Sequence, residues 1–460
     1  MFAKDSYPKI LIFSQTFNNF SGGGITLTNL FSGWPKDRIA VISYDFMLVG
    51  VSTNICGTYY QLGDKEIHWK FPFSMIKQKP KSGLLNIEKH ADFLVSNGRL
   101  KSKQKLPSSF LSQLLRWLGL DHSLSHIYLS DTLSAWLLEY KPELLYFQIS
   151  NRESVHFSQT LIDHLGIPSV IHMMDDWPSV IADRSISSKY WKNKIYKELK
   201  QLMNKIDLHL SICDEMAAEY KMRYGHEFHS FHNTLDLAKW TLYERKDIHL
   251  NDGPKILLFS GRIGRGIGQS LIEVAAAVKE LTMEGLEIRL HIQSPRSDRG
   301  IINQLRKFEC VKVNPPIEYD RLPQLYSTAD ILVIANDFTT NAVRFLKYSM
   351  PTKVPEYMIS GTPIIVYASS ETALYKFFKR NNCGHCVERQ NITQIADGLR
   401  LLLQDHRYSD KLSRNAIAYA NKHFDSVKVR QDFHGLLIES SIKFGSRNKL
   451  LTAVNDFERS

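Results

Sequence analysis

The stretch Phe345-Leu-Lys-Tyr-Ser-Met-Pro-Thr-Lys-Val-Pro-Glu-Tyr-Met-Ile-Ser-Gly-Thr-Pro-Ile-Ile-Val-Tyr367 constrains the fold more than any other part of the chain. It packs a turn, a short helix, a glycine stop and a buried strand into one unit. Pro351 bars further strand pairing at Ser349-Met-Pro351, and Thr352 can cap a helix from about Lys353 to Ser360. Gly361 ends that helix and Pro363 blocks its continuation. Ile364-Ile-Val366 is then an apolar run short enough for a parallel strand covered on both faces. A helix start presents free N–H groups, and with the Thr352 hydroxyl and Lys353 beside them it offers a place for a phosphate or diphosphate. Glu356, about one turn in, is an acceptor-only group that suits a ribose diol better than a phosphate. The plain alternative is an ordinary strand–helix–strand unit with a surface Lys and Glu.

Ser349-x-Pro-x-Lys-x-x-Glu-Tyr-Met-x-x-Gly-x-Pro-Ile-Ile365 resembles the nucleotide-sugar-binding segment of GT-B glycosyltransferases, especially the retaining family-4 type, the glycosyl transferases group 1. The resemblance implies an α/β fold of two Rossmann-like, doubly wound domains facing a cleft. It also implies that Glu356 holds the donor ribose, with Ser349, Met350, Thr352 and Lys353 around the donor. Relatives usually carry a second glutamate eight positions before the first; here Tyr348 stands in that place. The likeness runs from Lys9 to about Phe444, is strongest over Lys255 to Val387, and thins between about Gly50 and Leu120.

A chain of 460 residues exceeds what one hydrophobic core usually serves, so two domains are expected. The expected division is an acceptor-side domain over 1–242 with a basic insert at about 50–120, a charged, turn-rich linker at 243–254, and a nucleotide-sugar domain over 255–428. A C-terminal helix and tail over 429–460 is expected to pack back on the first domain. No apolar run approaches the roughly 18 residues needed to span a bilayer. The N-terminus lacks the apolar core of a signal peptide, which points to a cytoplasmic protein. Five unevenly spaced cysteines do not suggest a disulfide framework.

A net charge of +11 favours anionic partners: a nucleotide diphosphate, nucleic acid or an acidic membrane. Lys77, Lys79, Lys81, Lys89, Arg99, Lys101, Lys103 and Lys105 are crowded together, opposed only by Glu88 and Asp92. Phe110-Leu-Ser-Gln-Leu-Leu-Arg-Trp-Leu-Gly-Leu120 follows with apolar residues at helical spacing, including Trp117. A basic stretch before a short aromatic-bearing amphipathic helix suggests peripheral contact with an anionic membrane surface. A solvated loop before a core helix is the equally weighted alternative. Nucleic acid is not expected as a partner.

In the N-terminal half, Lys9-Ile-Leu-Ile-Phe13 reads as a strand, Ser21-Gly-Gly-Gly24 as a glycine loop, and Ile25 to Trp34 as a helix. Gly22, Gly23 and Gly24 let backbone approach a bound group, and resemble the glycine loop that faces donor phosphate and acceptor in GT-B enzymes. A helix over about Leu124 to Tyr140 leads to the strand Leu144-Leu-Tyr-Phe147, and a second helix to Ser169-Val-Ile-His-Met173, implying parallel strands with right-handed crossovers. Met174-Asp-Asp-Trp-Pro178 therefore lies beyond a strand's carboxyl end, where open α/β sheets bind ligands. His172, Asp175 and Asp176 are the candidate catalytic or donor-contact groups, the plain alternative being structural residues. The Asp pair has no companions at metal-like spacing, and His226, His229 and His232 alternate faces on a strand, so no metal site is expected.

In the C-terminal half, Lys255-Ile-Leu-Leu-Phe-Ser260 is a strand and Gly261-Arg-Ile-Gly-Arg-Gly-Ile-Gly268 opens a helix. Gly261 clears space while Arg262 and Arg265 bring permanent charge to where a diphosphate would sit. A dehydrogenase would place an acid at the tip of the next strand, and here that strand ends in Gln293-Ser-Pro. The segment resembles the Gly-Arg loop of GT-B enzymes; the usual downstream lysine is absent, and Arg265 is the candidate substitute. Ile317 and Glu318 are placed near the base by the same resemblance. Cys383-Gly-His-Cys386 has the spacing of a redox dithiol but follows a helix instead of opening one, so Gly384 reads as a helix stop.

Together these readings point to a metal-independent glycosyltransferase with no cofactor beyond its nucleotide-diphosphate sugar, acting with retention on a lipid-linked or cell-surface polysaccharide acceptor. A nucleotide-sugar epimerase and a non-catalytic donor-binding scaffold subunit remain as alternatives, the latter kept open by Tyr348.

Overall fold

A computed structural model describes residues 2–459 apart from 72, 77–79, 86–108, 184, 246–252, 265, 295–297 and 316. The chain forms two compact units, Met1–Phe231 with Arg430–Ser460, and His232–Val429.

The first unit is built on an eight-stranded sheet. Its strands in chain order are β1 (Ile10–Phe13), β2 (Ile39–Tyr44), β3 (Thr58–Leu62), β5 (Gly83–Leu84), β7 (Leu144–Phe147), β8 (Ser169–Met173), β9 (Leu208–Ser211) and β10 (Phe228–Ser230); β4 (Ile67–Trp69) and β6 (Ser125–Ile127) pair separately. The order across the sheet is β10-β9-β8-β7-β1-β2-β3-β5, parallel except for the antiparallel β5. Every residue of β1, β2, β7, β8 and β9 is buried, as expected of parallel strands covered on both faces. The chain runs outward from β1 through β2 to β3, then returns to β7 and runs outward the other way. The direction therefore reverses between β1 and β7, whose last residues Phe13 and Phe147 are register partners. That reversal is where open α/β sheets leave a crevice at the strands' carboxyl ends.

The helix Ser426–Arg459 belongs to this unit from Arg430 onward. Arg430 Nε donates to the Asn29 carbonyl at 2.7 Å, His434 Nε2 meets the Leu30 carbonyl at 2.9 Å, and the Phe433 ring packs edge-on against Phe31.

The second unit carries six parallel strands: β11 (Lys255–Ser260), β12 (Ile288–Gln293), β13 (Val311–Asn314), β14 (Ile331–Ala335), β15 (Ile364–Tyr367) and β16 (His385–Val387). Their order, β13-β12-β11-β14-β15-β16, is the doubly wound order of mononucleotide-binding halves, with its reversal between β11 and β14. Helices Gly268–Met283 and Ile392–Gln404 bury Leu271, Val274, Val278, Ile395 and Leu399 in one core with Leu257, Leu290, Val333 and Ile365. Arg245, inside the expected linker, has its side chain enclosed here and pairs with Asp330 at 3.3 Å.

Three helix boundaries depart from expectation. Gly22, Gly23 and Gly24 form the first turn of the helix Gly22–Phe31, because the Ser21 hydroxyl accepts from the Gly24 amide and so caps it there. The helix expected from Leu124 begins at Asp131, capped by Ser130, and Ser125–Ile127 pairs with β4. Gly384 is not the stop of the helix Ala373–Asn381; Asn382 takes the left-handed position at φ 48°. The basic cluster at Lys77, Lys79, Lys89, Arg99, Lys101, Lys103 and Lys105 lies outside the described residues.

Candidate active site

In the second unit the site is organised around Ser260, the last residue of β11, at the sheet's reversal point. The Ser260 amide donates to the Tyr357 hydroxyl at 2.8 Å, and its side-chain oxygen accepts from Tyr326 Oη at 3.0 Å. Lys353 Nζ donates to the Ser260 carbonyl at 2.9 Å. Gly261 follows at φ 139°, a conformation that side chains rarely adopt, and a Cβ there would stand 3.5 Å from the Lys353 ammonium. The expected Gly-Arg loop and the Lys353 segment therefore meet. Arg262 is exposed beside them, and Arg265 lies outside the described residues.

Lys353 lies at the start of the helix Val354–Ile359, its ammonium 3.9 Å from the centroid of the Phe259 ring. The residue as a whole keeps some solvent contact, but its charged end is enclosed by that ring and the strand end. Burial pushes its pKa down to about 7, against the opposing pull of Glu356. Glu356 is 3% exposed and accepts from Tyr319 Oη at 2.7 Å. Burial pushes its carboxyl up to about 7, with Tyr319 and Lys353 pulling the other way. One cation and one carboxylate, each with its charged form disfavoured by burial, thus sit where a doubly wound sheet takes a nucleotide.

Other expectations fare differently in detail. Thr352 makes no side-chain cap; its carbonyl instead accepts from Asn233 Nδ2 at 3.1 Å. The Val354 amide donates to the Pro351 carbonyl and Pro355 has no N–H, so this short helix start supplies little of the anticipated amide cradle. Ser349 is buried with its hydroxyl on the Phe345 carbonyl, and Met350 is buried beside it. Tyr348 lies under the Lys347 ammonium at 5.4 Å. Tyr319, one residue past the Ile317-Glu318 pair expected near the base, is the residue that reaches Glu356. The signal was present in Pro-Ile-Glu-Tyr-Asp: of that run, only the tyrosine can donate from a ring to a buried carboxylate. Tyr326 and Tyr357 were also passed over, since an apolar ring with a hydroxyl reads as core until its hydrogen bond is seen.

In the first unit, Gly23 lies at the mouth of the β1/β7 reversal. Gly24 is packed so that a Cβ would fall 2.2 Å from Asn18 Nδ2, and the Asn18 carboxamide oxygen accepts from the Phe20 and Ser21 amides. Gly22 is exposed at the helix start. His172 is fully buried in β8, with Nδ1 2.6 Å from Tyr146 Oη on β7. Asp175 is exposed. Asp176 turns toward the helix Asp214–Tyr224 instead, pairing with Arg223 at 2.8 Å and accepting from Tyr220 Oη at 2.9 Å. His226 stacks on His209 at 4.5 Å and bonds Asn204, and among the described residues no three His, Cys, Asp or Glu side chains are grouped to hold a metal. Burial pushes Cys383 and Cys386 up to about 12, the opposite of what a reactive dithiol needs. No described helix is long and apolar enough to cross a membrane.

Residues 242–422 match the family described as Glycosyl transferases group 1. No curated protein sequence matches the chain. Among solved structures, HepE from Anabaena in complex with UDP-glucose aligns over 94% of this chain and 99% of its own at 12% identity, with a TM-score of 0.58. Sucrose-phosphate synthase from Thermosynechococcus elongatus aligns over 97% of this chain and 99% of its own at 15% identity, TM-score 0.56. An α,α-trehalose-phosphate synthase (UDP-forming) from Burkholderia vietnamiensis aligns over 93% and 99% at 12% identity, TM-score 0.56. The second unit therefore carries a match to this family, and the chain as a whole shares the GT-B fold of these structures, two doubly wound units.

Proposed function

We propose that this protein moves a sugar from a nucleotide-diphosphate sugar to an acceptor hydroxyl with retention of configuration and without a metal. The observation that carries the reading is the pair at the end of β11: a buried ammonium on the strand's last carbonyl and a buried carboxylate three residues on. As the bond between the sugar's anomeric carbon and the diphosphate breaks, negative charge develops on the leaving oxygen. Lys353 and exposed Arg262 neutralise it. The acceptor oxygen bonds the anomeric carbon from the same face, and its proton passes to the departing phosphate. Glu356 accepts from the ribose hydroxyls. HepE was solved with UDP-glucose, so UDP-sugars are the first donors to test, followed by GDP- and ADP-sugars in calorimetry. Release of free nucleotide diphosphate only when an acceptor extract is added separates transfer from epimerisation; turnover of donor alone would overturn it.

The same pair sets a pH signature. Ribose hydroxyls favour ionised Glu356, whose unliganded pKa is raised to about 7, so below that value binding must release a proton and affinity falls. Diphosphate favours protonated Lys353, whose unliganded pKa is lowered to about 7, so above that value binding must take up a proton and affinity falls again. Affinity for the donor sugar is expected to peak near neutrality. Calorimetry in buffers of differing ionisation enthalpy checks it: proton release on the acid side, uptake on the alkaline side. A flat profile removes both roles.

The acceptor in this proposal is lipid-linked or a growing polysaccharide, reached at an anionic membrane surface on the cytosolic side. Trp117, Ile186 and Tyr190 are 51, 64 and 57% exposed, and the Ile186 amide donates to the Trp117 carbonyl at 2.8 Å, so two of these apolar groups are tied together. Arg116 and Lys189 are exposed next to them. Apolar side chains ringed by cations match a headgroup layer of opposite charge. Sedimentation with phosphatidylglycerol vesicles, compared with phosphatidylcholine alone, is expected to show salt-sensitive binding that Trp117→Ser with Ile186→Ser weakens roughly tenfold or more. Equal binding to neutral vesicles, or by the double variant, refutes this surface.

A further inference from the structure

The reversal point of the first unit holds a feature that donor chemistry leaves unexplained. Gln148, the residue directly after β7, is 6% exposed, yet among the described residues neither its Oε1 nor its Nε2 has a hydrogen-bond partner. The Tyr146 hydroxyl lies beside this amide without meeting hydrogen-bond geometry, and its own bond runs to His172 Nδ1 at 2.6 Å. A buried amide with both ends unmatched is rare and costly in a folded protein unless something else satisfies it.

Its surroundings say where that partner would come from. The Gln148 backbone amide bonds the Phe13 carbonyl at 3.4 Å, so the side chain stands at the carboxyl ends of β1 and β7 together. It faces the first turn of the ten-residue helix Gly22–Phe31: a Cβ on Gly23 would lie 3.6 Å from Gln148 Oε1 and 2.9 Å from Gln15 Oε1. Two carboxamides therefore converge on one bare patch of backbone. Ser14 holds a positive φ of 83° just before Gln15, and its carbonyl accepts from Ser43 Oγ at 2.6 Å, which aims the loop.

An amide offers an acceptor and donors side by side and carries no charge. A phosphate, which only accepts, would leave both carboxamide oxygens unmatched. A hydroxyl both donates and accepts, and neighbouring hydroxyls on a ring match two amides at once. We propose that Gln148 and Gln15, with Gly23 bare beneath them, form a binding site for the hydroxyls of an uncharged pyranose, the sugar end of the acceptor. This rests on the transferase reading for the word acceptor, and on the geometry alone for the sugar.

The test compares wild type with Gln148→Met, which keeps the side chain's length and removes both polar atoms. Thermal shifts are recorded with free glucose, galactose, mannose or N-acetylglucosamine, and with inorganic phosphate. At least one sugar is expected to raise the melting temperature of wild type more than that of the variant, and Gln15→Met is expected to lose part of the same response. Without ligand, Gln148→Met is expected to melt no lower than wild type, since it removes two unmatched buried atoms. Equal sugar responses in both proteins, a larger differential response to phosphate, or a lower melting temperature in the variant would overturn the site. Calorimetry of both proteins with UDP-glucose keeps the two readings apart. A weaker donor in Gln148→Met assigns the amide to the donor and refutes this proposal. Wild type that binds a free sugar but no nucleotide sugar leaves the site standing and removes the transferase reading.

Discussion

Methionine in place of Lys353 is expected to lower kcat/KM for the nucleotide-diphosphate sugar by about 10²–10³-fold, the usual loss when one preorganised donor to a developing anion is removed. The loss should fall on kcat as well as on donor affinity, because charge on the leaving oxygen is greatest in the transition state. Folding should not suffer. The ammonium is enclosed by the Phe259 ring and the end of β11, and burial holds its pKa down to about 7. A lysine whose folded pKa lies below its unfolded one destabilises the fold fully at pH values under the folded pKa, and the penalty fades toward the unfolded value. The variant is therefore expected to melt higher than wild type below about pH 7, with the gain shrinking as pH rises. A gain in stability with a loss of turnover is the mark of a charge kept for a ligand. Unchanged kcat/KM would mean that Lys353 only props up Ser260.

Much of this arrangement was legible beforehand, and the reason is the parallel sheet. Strands buried on both faces need unbroken apolar runs, so Leu144–Phe147, Ser169–Met173 and Lys255–Ser260 could be placed to the residue. The reversal points follow from strand order, and they put Gly261 and Lys353 together. What escaped reading was local. Thr352 has the right chemistry for a cap, but the cap position of the helix Val354–Ile359 falls on Lys353, itself in right-handed helical geometry, and the Thr352 carbonyl answers to Asn233. Tyr319 was hidden because its partner Glu356 is 37 residues away, beyond any periodicity. Gln148 was hidden for the opposite reason: a polar residue after a strand looks like the start of a loop, and only burial without a partner marks it out. Asp176 matched the expected position beyond a strand's carboxyl end, yet position does not say which way a side chain turns.

For Asp176 the choice between a reacting group and a supporting one has a large and measurable consequence. Its side chain is 1% exposed, and it receives Arg223 at 2.8 Å, Tyr220 at 2.9 Å and the Ser179 hydroxyl. Arg223 is itself largely enclosed, with 19% of its side chain exposed, and its guanidinium also binds Glu219. Removing one member of such a pair strands the other charge, which costs about 3–5 kcal/mol. Asp176→Ala is therefore expected to lower the melting temperature of the first unit's transition by about 10 °C, on the scale of 2–4 °C per kcal/mol for a unit of this size. Asp176→Asn, which keeps the shape and an acceptor but loses the charge, should fall between. Asp176→Leu combined with Arg223→Met should recover most of the loss, because a buried ion pair is often replaceable by apolar groups of similar volume. Donor affinity, measured well below the transition, should hardly change. A catalytic aspartate would give the reverse pattern, with turnover abolished at an unchanged melting temperature and no recovery in the double variant, and that result would make Asp176 a reacting group.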